Sequence, residues 1–150
     1  MTLVIGIGNE YRGDDGVGRV LARRLVSAEL PNVEIVESSG ESLSLMELWS
    51  DASRVILIDA IQSGSTPGTI QRFDAGAKPL PTEFVQQCST HALSLAEAVE
   101  LARSLGQLPP EVVIYGIEGL SFKHGNNLTP TVADAAEAAF ELIQKELTQS

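Results

Sequence analysis

The sequence has one cysteine, two histidines and half as many basic as acidic residues, 10 against 20. The single cysteine, Cys88, excludes an internal disulfide. No stretch approaches the roughly 18 apolar residues of a membrane-spanning helix, and no basic segment followed by an apolar run opens the chain. These absences lead us to expect a soluble, cytoplasmic protein without membrane insertion.

The shortage of lysine and arginine gives a net charge of −10. Proteins bind nucleic acid mainly through Lys and Arg side chains that neutralise phosphates, so this charge disfavours a nucleic-acid partner. It favours a metal cation or a basic peptide instead. The acidic residues are scattered along the chain, however, so charge alone decides little.

Several catalytic motifs are missing as well. The two histidines, His91 and His124, are too far apart for the H-E-x-x-H motif of zinc peptidases, and there is no G-x-S-x-G nucleophile elbow. Cys88 and His91 have a spacing that suits a nucleophile and its base, but no residue is found to orient them, so we give this pair little weight. We expect His124 to lie on a loop surface.

The composition that remains is that of an ordered protein. The chain has 150 residues, of which 43% are hydrophobic and 20% are charged. A domain of this length buries about 70% of the surface that its unfolded chain exposes. We therefore expect one monomeric domain that spans residues 1–150.

Short apolar runs alternate along the chain with segments of helical periodicity. The runs predict strands at residues 2–7, 33–37, 54–60, 68–73 and 111–117. The periodic segments predict helices at residues 15–30, 42–49, 93–105 and 131–147, with a loop at 78–84. This alternation predicts an α/β fold, a three-layer, doubly wound, mostly parallel twisted sheet of about five strands with helices on both faces. The run at 68–73 is expected at an edge.

The glycine-rich segment after the first strand is similar at first sight to a nucleotide-binding loop. The dinucleotide motif G-x-G-x-x-G would start at Gly6, but Tyr11 occupies its third glycine position. Asp14 and Asp15 would place negative charge where a phosphate sits, and no G-K-[ST] sequence follows. A small nucleotide-binding module is therefore a weak alternative, and we expect no nucleotide cofactor.

Asp15, Asp59 and His91 form the main candidate site. In a flavodoxin-like sheet, strands 1 and 3 are neighbours and ligands bind at their carboxyl ends. Asp15 follows the first strand and Asp59 ends the third, so both carboxylates are expected at that crevice. Two carboxylates and one imidazole suit nickel, zinc or iron. A structural hydrogen bond to loop N–H groups is the alternative for Asp59, and we interpret Asp14 as a helix cap.

The motifs together resemble one family, the nickel–iron hydrogenase maturation proteases, over nearly the whole chain. The matching residues, in chain order, are Gly6, Gly8, Asn9, Asp14, Asp15, Gly16, Gly18, Ile58, Asp59, Ala60, Thr90 and His91. A closing segment also looks similar, through Phe122, Gly125, Leu128, Thr129, Pro130 and Val132. Asp15 replaces a glutamate that some members have, and either carboxylate can bind a divalent cation.

The resemblance implies an endopeptidase that removes the C-terminal extension of a hydrogenase large-subunit precursor already loaded with nickel. It implies that Asp15, Asp59 and His91 are the metal ligands, and that the nickel is presented by the substrate as a recognition label. Other divalent metals are expected to fit the same site. Two mechanisms stay open: the metal polarises the scissile carbonyl or activates water, or it only holds the substrate while a carboxylate acts as general base. Asp15 and Asp59 are the candidate bases of such an aspartyl-type protease.

The resemblance also implies a substrate cleft at residues 37–41, where many members have an Asp-Gly-Gly-Thr type of sequence. This chain differs there, and we take Glu37, Ser39 and Gly40 as candidate substrate-binding residues. Trp49, on the following helix, either contacts the substrate or packs in the core, and average tryptophan burial favours packing. The main alternative function is a non-proteolytic metal-binding chaperone or scaffold for hydrogenase maturation, with the same fold and ligands.

Overall fold

The computed structural model describes the backbone of residues 1–81 and 90–149, and their side chains except those of 90–94. The strands are β1 (Thr2–Ile7), β2 (Val33–Ser38), β3 (Arg54–Ile61), β4 (Ile70–Asp74) and β5 (Glu111–Glu118). The α-helices are α1 (Val17–Ser27), α2 (Ser42–Leu48), α3 (Thr90–Ser104) and α4 (Pro130–Thr148). A single turn of 3-10 helix spans Gly13–Gly16, directly before α1.

The five strands form one sheet in the order β2-β1-β3-β5-β4. Neighbouring strands are parallel except for β4, which runs antiparallel to β5 at one edge. Gly6 of β1 lies between Glu37 of β2 and Ile58 of β3. The predicted 2-1-3 order and the predicted edge strand are confirmed, so the carboxyl ends of β1 and β3 lie side by side.

Helices cover both faces of this sheet, because successive residues of the buried strands point to opposite faces. In β3, Val55 and Leu57 pack with α2 and α3, whereas Ile56 and Ile58 pack with α1 and α4. The three-layer arrangement is therefore confirmed. Its two cores are both made of strand residues and the apolar faces of two helices.

The start of α1 differs from the sequence-based expectation. Helix α1 begins at Val17 and not at residue 15, because Gly13–Gly16 forms a tighter 3-10 turn that carries both aspartates. Trp49 is only 1% exposed and packs in the core beneath α2, so the favoured interpretation, core packing, is confirmed and the alternative, a contact with substrate, is wrong. Residues 78–81 form a loop as predicted, and the rest of that predicted loop lies outside the described residues.

None of the described helices is long and apolar enough to cross a membrane.

A half-buried carboxylate ties α4 to the sheet. Glu146 accepts hydrogen bonds from Nε and Nη2 of Arg72, at 3.0 and 2.8 Å, and from the hydroxyl of Tyr115. Burial, the largest influence, raises the pKa of Glu146, but the hydrogen bonds of Arg72 and Tyr115 together hold it below its ordinary value. Burial and the same carboxylate raise the pKa of Tyr115 to about 12.

The Glu146 contacts predict a pH-dependent contribution to stability. A carboxyl group whose pKa is lowered by folding stabilises the protein above its unfolded pKa, and this contribution is lost as pH falls through the folded pKa. Glu146→Gln should therefore lower the free energy of unfolding by about 1–2 kcal/mol at pH 7. Urea unfolding at pH 7 and at pH 3 measures this: the difference between variant and wild type should shrink at the lower pH. An equal difference at both values would contradict the assignment.

Candidate active site

The amino end of α1 lies directly on the carboxyl ends of β1 and β3. A Cβ atom at Gly18 would come within 2.5 Å of the carbonyl oxygen of Ile58 and even closer to that of Ile7. Only glycine allows this approach, because every other residue would place its side chain inside the sheet backbone. Helix α1 and the 3-10 turn before it are thus fixed over the strand ends where Asp59 lies.

Asp15 is held against the loop that follows β1. Its carboxylate is 5% exposed and accepts a hydrogen bond from the backbone N–H of Asn9 at 3.0 Å. Gly8 has a φ of 153°, and a Cβ atom there would overlap the carbonyl oxygen of Asp15. The glycine-rich loop of the sequence therefore serves to bring the backbone of Asp15 close to the end of β1.

Asp59 lies at the same edge of the sheet. It follows Ile58, the partner of Gly6, and pairs in register with Gly116 of β5. Its side chain is only 1% exposed. The carboxyl ends of β1 and β3 are neighbours, as the strand order predicted, and both Asp59 and the turn that carries Asp15 lie at this end of the sheet. That the two carboxylates form one site stays a prediction.

His91 lies in the first turn of α3 and not before the helix, since α3 already begins at Thr90. The structure does not describe the side chain of His91, and Cys88 lies outside the described residues. Among the side chains that are described, no group of three His, Cys, Asp or Glu residues could hold a metal ion. The triad of Asp15, Asp59 and His91 depends on the imidazole of His91 and stays a prediction. His124 is exposed on a loop, as expected.

Asp14 has a different structural role from the helix cap that the sequence suggested. It is fully buried, and its carboxylate accepts hydrogen bonds from the backbone N–H groups of Leu120, Ser121 and Thr129 at 2.7–3.0 Å. The hydroxyl of Thr129 also donates to it. Burial, the largest influence, raises the pKa of Asp14, but these hydrogen bonds together lower it below the ordinary value. The cap interpretation is wrong because the donors come from another segment.

Glu118 is a fourth buried carboxylate at this end of the sheet, after Asp14, Asp15 and Asp59, and the sequence analysis missed it. It ends β5, is 2% exposed, and accepts hydrogen bonds from the backbone N–H and the hydroxyl of Ser63. It thereby holds the loop that follows β3. The signal was available, because Glu118 ends an apolar run just as Asp59 does.

The end of β2 carries the residues predicted to bind substrate. Glu37 accepts hydrogen bonds from Arg19 and Arg23, and Arg23 also pairs with Glu10. The hydrogen bond from Arg23 is the largest influence on the pKa of Glu37 and lowers it. Burial raises this pKa and the hydrogen bond from Arg19 lowers it again, so it stays below its ordinary value. Gly40 is buried and donates its N–H to the hydroxyl of Ser38. Glu37 is therefore ionised and charge-paired.

A groove of about 300 Å³ lies beside Asp15. It is lined by Gly8, Asn9, Glu10, Tyr11, Arg19 and Ser39, and we call it the Tyr11 groove. The Tyr11 side chain is 62% exposed, a high value for an aromatic residue, whereas its backbone N–H is bonded to the side chain of Asn9. The groove lies between the loop that follows β1 and Ser39, which follows β2, and Asn9 in its lining donates its backbone N–H to Asp15.

The comparison with known sequences decides the family. A family model described as "HycI: Hydrogenase maturation protease" matches residues 17–146. The chain belongs to the hydrogenase maturation protease family. It is therefore a peptidase and a hydrolase, which favours the protease over the non-proteolytic chaperone.

Relatives and solved structures of this protease family agree. The chain is 29% identical to the hydrogenase 2 maturation protease of Escherichia coli, over 99% of this chain and 91% of the relative. It is 31% identical to the hydrogenase expression/formation protein HoxM of Cupriavidus necator, over 94% and 71%. The structure of the hydrogenase maturating endopeptidase HybD from E. coli superposes with a TM-score of 0.82 at 26% identity, covering 99% of this chain and 92% of that one.

Proposed function

We propose that this protease removes the C-terminal extension of a [NiFe] hydrogenase large-subunit precursor, and that it recognises the nickel already bound in that precursor. The observation that carries the proposal is the burial of two acidic residues, Asp15 and Asp59, at the end of the sheet where β1 and β3 have their neighbouring carboxyl ends. Family membership over residues 17–146 and the names of the relatives support the substrate class.

The chemistry of the crevice suits such a substrate. Carboxylate oxygens and an imidazole nitrogen are ligands that accept nickel, zinc and related divalent metals. In the proposal, Asp15, Asp59 and His91 contact the nickel of the precursor, which is part of the substrate. The same two carboxylates are the candidate bases that take a proton from the attacking water. A buried crevice strengthens each of these electrostatic interactions because water is excluded from it.

Processing of a loaded and an unloaded precursor tests the proposed function. The purified protein is incubated with nickel-loaded large-subunit precursor, and in parallel with the same precursor prepared without nickel. The loaded form should shift to the mobility of the mature subunit, and the unloaded form should stay unchanged. No shift with the loaded precursor would refute the protease assignment, and an equal shift with both would refute nickel recognition.

The Tyr11 groove gives a prediction about substrate binding. Exposed aromatic residues beside a site often carry much of the binding energy, so Tyr11→Ala should weaken binding by about 1–2 kcal/mol, a roughly 5–30-fold rise in KM. The value of kcat should change little, because Tyr11 is not among the proposed ligands or bases.

Steady-state kinetics on the loaded precursor measures the effect of Tyr11→Ala. The matched control is Leu142→Ala, which shortens an exposed side chain (48%) on α4, outside the lining of the Tyr11 groove. The control should keep the wild-type KM. If both variants kept it, the groove would not be part of the substrate site.

A further inference from the structure

We propose that Asp14 is a positioning residue that holds Asp15 at its distance from Asp59, an inference that rests on the proposed function. Asp14 is fully buried and does not face solvent, so it is not itself expected to contact substrate. Its neighbour Asp15 lies in the same single turn of 3-10 helix, Gly13–Gly16. Whatever fixes Asp14 therefore also fixes the backbone that carries Asp15.

The turn is bonded along its length to the segment that follows β5. The N–H of Gly13 donates to the carbonyl of Gly125 at 2.7 Å, and the N–H of Asp14 donates to that of Ser121 at 2.9 Å. In the opposite direction, the N–H of Gly125 donates to the carbonyl of Tyr11 at 2.8 Å. The carboxylate of Asp14 adds the donors of Leu120, Ser121 and Thr129. The Asp14 carboxylate is thus the one side chain at the centre of this described junction.

The same segment is bonded to the strand that carries Asp59. The N–H of Gly119 donates to the carbonyl of Ile61, two residues beyond Asp59, at 3.0 Å. Leu120, the next residue, donates to Asp14 at 2.8 Å. A short path of hydrogen bonds and peptide units therefore joins Asp15 to Asp59, and it runs through the carboxylate of Asp14.

Only a side chain with two hydrogen-bond acceptor oxygens fits this junction. One oxygen of Asp14 receives the N–H of Thr129, and the other receives the N–H groups of Leu120 and Ser121. An asparagine would turn an NH₂ group toward one of these donors, whichever way its amide pointed. Asp14→Asn therefore keeps the size of the side chain but breaks one side of the junction, and the turn that bears Asp15 shifts.

Substitution of a residue that orients a metal ligand lowers metal affinity or activity by about 10–100-fold. We expect Asp14→Asn to lower kcat on the nickel-loaded precursor and to weaken zinc binding within this range, and to raise KM because the same ligands bind the nickel of the substrate. Thr129→Val removes only the hydroxyl that donates to Asp14 and should show a smaller loss in both. Thr129→Ser keeps the hydroxyl and should behave as wild type.

The test combines steady-state kinetics, a competition titration with zinc, and thermal unfolding on the wild type, these three variants and one control. Ile143→Ala, a fully buried site on α4, is the control for lost stability: it should lower the unfolding midpoint but keep kcat and zinc affinity. Wild-type kcat and zinc affinity in folded Asp14→Asn would overturn the proposal. If Asp14→Asn does not fold, equal behaviour of Thr129→Val and Thr129→Ser would overturn it. If wild-type protein binds zinc but cleaves no precursor, the proposed function fails, and the zinc titration still decides the role of Asp14.

Discussion

Replacing Asp59 with asparagine is expected to lower kcat/KM for precursor cleavage by on the order of 10²–10⁴-fold, the usual cost of losing a group that transfers a proton or carries its charge. The side chain is almost completely buried at the end of β3, so few other groups can take its place. Asparagine has the same shape but no negative charge. Asp15→Asn and His91→Ala are expected to act in the same direction, because all three residues are proposed to contact one metal.

The controls separate charge from structure. Asp74→Asn makes the same change at an exposed carboxylate at the end of the edge strand β4. This carboxylate accepts a hydrogen bond from the N–H of Ala77, and the variant should keep full activity. Circular dichroism should show that Asp59→Asn is folded. Processing at the wild-type rate by folded Asp59→Asn would remove this residue from the site.

Gly18→Ala is expected to reduce the free energy of unfolding at or above the upper end of the roughly 1–3 kcal/mol that overpacked sites cost. The added methyl would meet the carbonyl oxygens of Ile7 and Ile58, which are backbone atoms of two hydrogen-bonded strands and cannot rotate away. Helix α1 must then lift from the sheet. Since the 3-10 turn with Asp15 precedes this helix, cleavage activity should fall as well.

Val20→Ala is the matched control for Gly18→Ala. It lies on the same helix, two residues further along, with a side chain that is 40% exposed. Urea unfolding of both variants and the wild type measures the difference, and only Gly18→Ala should lose stability and activity together. Equal stability of the two variants would show that α1 does not require a close approach at Gly18.

The fold could be predicted from the sequence because the apolar runs and the helical segments indicated the same α/β architecture. The apolar runs of β1, β3 and β5 are too continuous for a half-exposed strand, and the helical segments between them require parallel connections. The exact ends were harder to predict. The start of α1 was misplaced because Asp14 and Asp15 look like ordinary first-turn residues, whereas a tighter turn of 3-10 helix carries them.

The candidate site could likewise be predicted only in part. That β1 and β3 end side by side, near Asp15 and Asp59, could be predicted from strand order alone, since the topology fixes which strand ends are neighbours. The partners of Asp14 could not be found in this way. They are backbone N–H groups 106 and more residues away, and no residue type marks a backbone donor.

Asp15, Asp59 and His91 are proposed to bind one metal ion. Anomalous diffraction from crystals soaked in zinc, with data on both sides of the zinc edge, locates such an ion. We expect one strong peak in the crevice, with carboxylate oxygens of Asp15 and Asp59 and an imidazole nitrogen of His91 at about 2.0–2.2 Å. A peak elsewhere, or one in the crevice without all three side chains around it, would show that these residues do not form one metal site.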